Sequence, residues 1–180
     1  MTSVAYMTAL IIGIFAVTIS SSNAAMPYTK TIDPAHKQEL ISSADPLEKF
    51  RGLRKLSQEQ LVELLRAVGF KGIALKTAWA VAMRESNGRP VAHNDNLSTG
   101  DNSYGIFQVN MLGSLGVDRR EKYGLTGNAD LLDPVTNAQV VFQMTKGGVD
   151  WSSWGLGPNA YDGTASEPSV TKWISLFPKS

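Results

Sequence analysis

The sequence predicts a mainly α-helical domain with a small loop or β region. Three observations carry this. Three segments between residues 57 and 145 place apolar residues at helical spacing, each opened or closed by a capping signal. Between two of them, residues 87–103 are polar and rich in Asn, Asp, Gly and Ser, the composition of a long loop or a short hairpin. The chain has 180 residues, 43% hydrophobic and 18% charged, which suits one folded domain with a proper core.

Composition also excludes. A formal net charge of +1 gives no strong pull toward nucleic acid. The absence of cysteine rules out disulfides and thiolate metal sites. His36 and His93 are the only histidines, so no metal or other cofactor is expected, and His93 reads as a solvent-exposed loop residue.

Taken in order, residues 1–26 stand apart. Val4 to Ile19 is mostly apolar and uncharged, and Ser22-Asn23-Ala24 offers a small-x-small cleavage pattern. No Lys or Arg precedes Lys30, so the basic leader of a signal peptide is missing, and the run is short for a spanning helix. Three readings stay open: an export signal, a membrane anchor contacting lipid through residues 4–19, or a buried or partner-bound helix. The first two make the protein exported or membrane-anchored in the cell envelope. Residues 27–56 contain Pro27, Pro34 and Pro46 and read as a tether. Asp33-Pro34 and Asp45-Pro46 predict short helices over 34–42 and 46–55, with Arg51 to Lys55 as a solvated face. The domain proper is expected over 57–180.

Ser57-Gln-Glu-Gln60 is a capping box, followed by the stripe Leu61, Leu64, Leu65 and Val68, and Gly69 is the expected C-cap. The next helix, about 74–86, is stopped by Asn87-Gly88 and Pro90. A further helix is expected from about Leu112, weakened by Gly113 and Gly116, and then a turn over 124–128. Asp133-Pro134 opens a helix that buries Val135, Ala138, Val141, Phe142 and Thr145 and ends at Gly147-Gly148. A last short helix is expected over 169–176.

One residue is out of place. At 100° per residue, Ala74, Leu75, Ala78, Val81 and Ala82 share a face, and Glu85 falls in the middle of it. An acid at the end of an apolar stripe is costly unless protonated or partnered, and a helix C-terminus disfavours its charge further. Both effects favour the protonated carboxyl, as a general acid requires. The competing reading is an ion-paired helix-terminal acid beside Arg84 or Arg89.

Glu85-Ser86, then Gly105-Ile106-Phe107-Gln108, then Leu132-Asp133-Pro134 with Asn137-Ala138, then Trp151 to Tyr161, resembles the soluble lytic transglycosylase domain, which is grouped with goose-type lysozyme in the lysozyme-like superfamily. The resemblance spans about residues 70–163. Similar segments occur in phage-encoded wall-degrading domains, which implies a virion-associated lysin, with virion components as partners, as one source.

The resemblance implies a lysozyme-like fold with the loop or β region beside an active-site cleft, and peptidoglycan glycan strands as substrate. It implies cleavage of the β-1,4 bond between N-acetylmuramic acid and N-acetylglucosamine, with Glu85 as general acid. In a lytic transglycosylase Glu85 then serves as base and 1,6-anhydro ends form. In a muramidase a second carboxylate takes part. Asp101 and Asp95 are the candidates for that second acid, against a turn-capping role for each. Another acid of the goose-type enzymes falls at Asn110, which tilts the reading toward the transglycosylase. Ser86 is expected to orient Glu85 or to cap the helix. Gly105 would allow close approach to a sugar or to the catalytic helix. Gln108 and Asn137 match positions near the substrate, Tyr104 and Phe107 line cleft or core, and Tyr161 would steady the carboxylate. Trp151 and Trp154 would stack on sugars or pack in the core. A non-catalytic wall-binding or virion structural protein is the rival from another class. No phosphate-cradling glycine loop, H-E-x-x-H or nucleophile elbow occurs.

Overall fold

The computed structural model describes residues 45–157 and 168–179. All fall in the unit Ser42–Ser180, one of two into which the chain divides. The expectations for residues 1–44, including the apolar segment and the helix over 34–42, lie outside the described residues, as does Tyr161.

Among its described residues this unit has five α-helices and one small sheet. Helix α1 (Gln58–Val68) starts where the capping box predicts: Ser57 Oγ accepts from the Gln60 backbone N–H at 3.2 Å, and Gln60 Oε1 accepts from the Ser57 N–H at 2.9 Å. It buries Leu61, Val62, Leu64 and Leu65 and ends at Gly69, whose φ of 124° suits glycine.

Helix α2 (Gly72–Ser86) is the central element. The expected face holds for Leu75, Ala78, Val81 and Ala82, but Thr77, Trp79, Ala80 and Met83 are buried too. The helix is therefore enclosed around most of its circumference rather than apolar on one stripe. Alanines at 78, 80 and 82 let neighbours approach, and the Trp79 ring is met edge-on by Trp173 and Phe177, centroids at 5.9 and 5.6 Å. Asn87 ends the helix in the left-handed conformation at φ 56°, with its N–H on Met83 O at 3.0 Å and the Gly88 N–H on Ala82 O at 3.2 Å. These bonds satisfy carbonyls of the last turn that would otherwise lack partners.

The polar stretch after α2 forms part of a three-stranded antiparallel sheet in the order β1 (His93–Asn94), β2 (Ser103–Tyr104), β3 (Val109–Asn110). Tyr104 pairs with His93 on one side and Val109 on the other. Helix α3 (Gly113–Tyr123) follows as expected from Leu112. Gly116, expected only to weaken it, is required there: a Cβ would lie 2.2 Å from Met111 O. Helix α4 (Pro134–Met144) buries Val135, Asn137, Ala138, Val140 and Val141, while Phe142 is half-buried, edge-on to Phe70 at 4.9 Å. Helix α5 (Pro168–Ser175) packs on α2.

The helix expected over 46–55 is only a 3-10 turn, Glu48–Phe50. Gly52, at φ 67°, and the extended Arg51 break it. Leu47 and Phe50 plug into the core. Arg51 to Lys55 is no helix face. The Arg51 guanidinium meets Glu48 at 3.2 Å and Asp133 at 3.7 Å, and the Gly52 N–H donates to Asp133 Oδ2 at 2.7 Å. Asp133 Oδ1 also accepts from the Thr136 N–H at 2.9 Å and so caps α4. One carboxylate therefore serves as helix cap and as tether for residues 51–52. Asp133→Ala is expected to lower unfolding free energy by about 1–2 kcal/mol, the range of a lost N-cap, and Asp133→Asn by less. Urea unfolding measures both, and an unmoved midpoint for the alanine variant would show that the cap contributes nothing.

Candidate active site

Glu85 lies in the last turn of α2, with its side chain 24% exposed, at the edge shared by two depressions. One is a cleft of about 510 Å³ between the sheet region, α3 and Trp154; the other is a wider depression of about 720 Å³ toward α5. Glu85 is not an unpartnered acid in an apolar stripe. Arg84 Nε and Nη2 both donate to its Oε1, at 2.9 and 2.5 Å, and Nη2 also donates to the Trp154 carbonyl at 3.0 Å. The guanidinium offsets the unfavourable helix C-terminus and ties the carboxylate to the Trp154 turn. Glu85 Oε2 has no hydrogen-bond donor among the described residues.

Behind the cleft, the turn 105–108 is fixed from two sides. Asn137, fully buried, accepts from the Phe107 N–H through Oδ1 at 3.1 Å and donates through Nδ2 to Tyr104 O at 3.0 Å and Leu131 O at 2.9 Å. Ser86 Oγ donates to Ile106 O at 2.7 Å and accepts from the Arg89 N–H at 3.0 Å. These bonds correct two expectations. Asn137 and Ser86 are buried and committed to backbone, so they position the turn rather than touch substrate, and Ser86 makes no hydrogen bond to the Glu85 carboxylate. Gly105 is corrected likewise. At φ 75°, its Cβ would stand 2.1 Å from Leu131 O and 2.3 Å from Asn137 Nδ2. Its close approach is to the 3-10 turn Asn128–Leu132, not to a sugar.

Gln108 lines the cleft. At φ 49° it donates through Nε2 to Gly105 O at 2.9 Å and Ala92 O at 3.2 Å, while Oε1 takes no bond among the described residues. Trp154 lines it too, its Nε1 donating to Phe107 O at 2.9 Å. Trp151 is core: 2% exposed, stacked near Phe70 at 6.2 Å, with Nε1 on Gly148 O. Phe107 is core as well. Tyr104 stacks on the exposed His93 at 4.2 Å and is not part of the cleft lining, which corrects its expected substrate contact.

The two candidate second acids separate. Asp101 lines the cleft; its carboxylate accepts from Asn94 Nδ2 at 2.5 Å and from Ser103 Oγ. Asp95 is exposed and lines neither depression at Glu85, so it is not brought to the site. Asn110 lines the cleft, with its amide closing a turn through the Leu112 N–H and Gly100 O, both at 2.9 Å.

Arg119 also lines the cleft and was not singled out from the sequence. It donates to Asn110 O, and burial pulls its pKa below the usual guanidinium range, against an opposing influence of Tyr123. Its i,i+4 spacing from Leu115, another lining residue, was a legible sign of a shared face. Among the described residues no cluster of His, Asp and Glu could hold a metal ion.

The described residues thus form a helical domain with Glu85 at a helix end, beside a polar cleft walled by a small sheet. A family model described as a lysozyme-like domain matches residues 62–156, and the chain belongs to that family. The family acts on peptidoglycan by glycosidase or transglycosylase chemistry. No curated protein and no solved structure matches the chain.

Asn137→Ala would leave one N–H and two carbonyls without partners. Each buried polar group so stranded costs about 1–3 kcal/mol, so a loss of about 3 kcal/mol or more is expected in chemical denaturation. A change under about 0.5 kcal/mol would mean that the turn 105–108 is held by other contacts.

Proposed function

We propose that the protein is a peptidoglycan lytic transglycosylase, cleaving the β-1,4 bond between N-acetylmuramic acid and N-acetylglucosamine. The observation that carries this is Glu85 at the end of α2 and at the edge of the cleft, held at Oε1 by Arg84, with Oε2 taking no bond among the described residues. Glu85 gives its proton to the glycosidic oxygen as the C1–O bond breaks. The resulting carboxylate takes the proton of the muramic C6 hydroxyl, and O6 bonds to C1. The proton count is restored, no water is consumed, and a 1,6-anhydro end results. One group acts as acid and then as base, so no second carboxylate is needed. Gln108 Oε1, Trp154 and Arg119 line the path of the strand. Tyr161 is proposed to steady the Glu85 carboxylate.

The alternative is a muramidase, and the observation that favours it is Asp101 in the same cleft. In a hydrolase Asp101 would hold the attacking water or form the covalent intermediate. Against this, its carboxylate already accepts from Asn94 and Ser103, bonds that fasten β1 to β2. Asn110 stands where the goose-type enzymes have another acid.

The place of action follows from the substrate. The domain works at the cell wall, and residues 1–26 are proposed to export it or to anchor it to the membrane. Association with a virion is a further proposal, resting on the similarity to phage-encoded wall-degrading segments. No described helix is long and apolar enough to cross a membrane.

Mass spectrometry of digested wall separates the two reactions: anhydro-muropeptides are expected, and reducing ends alone would overturn the transglycosylase. Glu85→Gln should lower the cleavage rate by about 10²–10⁴-fold with the circular-dichroism spectrum unchanged. Unaltered lysis by that variant would refute Glu85 as the acid, and no cleavage by the wild type would favour a non-catalytic wall-binding role. Asp101→Asn should cost less than about tenfold; a loss as large as that of Glu85→Gln would point to hydrolysis with two carboxylates.

A further inference from the structure

Glu85 has a second neighbour space. The wider depression on its α5 side is walled by Arg84, Asn87, Arg89, Ser169 and Trp173. Among the described residues that wall it the charges do not cancel: Glu85 is already paired with Arg84, which leaves Arg89 as a further cation. Arg89 is exposed, yet its stem is pinned: its backbone N–H donates to Ser86 Oγ and its Nε to Ser86 O, both at 3.0 Å. Its two terminal nitrogens have no acceptor among the described residues. Opposite, Trp173 is half-buried and braced edge-on against the buried Trp79, so its ring is a fixed apolar wall. Trp173 belongs to α5, which lies outside the residues matched by the family model.

A preset guanidinium beside a fixed indole suits an anionic group carried on a partly apolar chain. Given the wall-cleaving reading above, on which this inference rests, such a chain is at hand. A strand held with its scissile bond at Glu85 must lead the stem peptide of the adjacent muramic acid out of the cleft beside that residue. We propose that the Arg89–Trp173 depression receives this stem peptide, with Arg89 binding a peptide carboxylate and Trp173 packing on the neighbouring apolar side chains. The depression then makes the enzyme selective for peptide-bearing over peptide-stripped glycan.

The test compares soluble, uncross-linked glycan strands with and without their stem peptides, the latter made by amidase digestion, both freed of phosphate polymers. Wild type should favour the peptide-bearing strands. Arg89→Gln should lower kcat/KM on them by about tenfold, the scale of one charge-assisted hydrogen bond, through KM with kcat little changed. On stripped strands the same variant should match wild type, and Arg89→Lys should recover part of the loss. Calorimetry with a disaccharide-peptide on the Glu85→Gln background should show the same Arg89 dependence without turnover. Equal loss on both substrates, or no loss on either, overturns the proposal. A loss seen only on walls that retain phosphate polymers also overturns it and assigns the site to phosphate. If wild type cleaves neither strand, the wall-cleaving reading itself fails and this one goes with it.

Discussion

The side-chain amide of Asn137 joins parts of the molecule that nothing else links so directly. From α4 it reaches the Phe107 N–H, the Tyr104 carbonyl and the Leu131 carbonyl. It thereby locks a sheet strand, the tight turn after it and the 3-10 turn before α4 into one assembly. Asn137 is fully buried, and backbone polar groups in such a place are costly when left without a partner. Gly105 makes the arrangement sterically feasible, since any side chain there would collide with Leu131 O and with the amide itself. Ser86 closes the remaining side by bonding Ile106 O from α2. The cleft wall that carries Gln108 is placed relative to Glu85 through these few polar contacts.

The electrostatics of the site are arranged around the same turn. Arg84 bridges Glu85 and the Trp154 carbonyl, while the Trp154 indole donates back to Phe107 O. Acid, tryptophan and turn are thus hydrogen-bonded in a chain that runs across the head of the cleft. On the opposite wall Arg119 is anchored to Asn110 O, and Asp101 to Asn94 and Ser103. The charged groups in the cleft are each held by named protein donors or acceptors, which fixes a field before substrate arrives.

Much of this was legible in the sequence because it rests on short-range chemistry. The capping box at Ser57, the Asp133 cap and the Asn87-Gly88 stop are local rules, and the helices they delimit stand where expected. Glu85 was legible as an acid in an unusual position. The identity of its partner was named as an alternative only, since Arg84 and Glu85 are neighbours in the chain and local spacing does not show whether their heads meet. Asn137 was read as a position near the substrate, Ser86 as orienting Glu85 or capping the helix, and Gly105 as approaching a sugar or the helix of Glu85, because motif positions near a site do not distinguish a residue that touches ligand from one that holds the wall. Burial decides that, and burial is a long-range property. The helix expected over 46–55 failed for a related reason. Its propensity is overridden at Gly52, where the chain turns to reach Asp133, a partner 81 residues away.

The enclosure of α2 has a kinetic meaning. Backbone amides exchange with solvent only when their hydrogen bonds open, and a helix packed around most of its circumference opens only with the whole domain. Glu85 rides on the end of that helix, where the Asn87 and Gly88 backbone bonds and the Ser86 bond resist fraying. Residues 95, 96 and 98–100 are exposed by contrast, with bonds among Asn96, Ser98 and Thr99. Amides of that loop are expected to exchange well before those of α2, so Glu85 stands on the slower-opening side of the cleft.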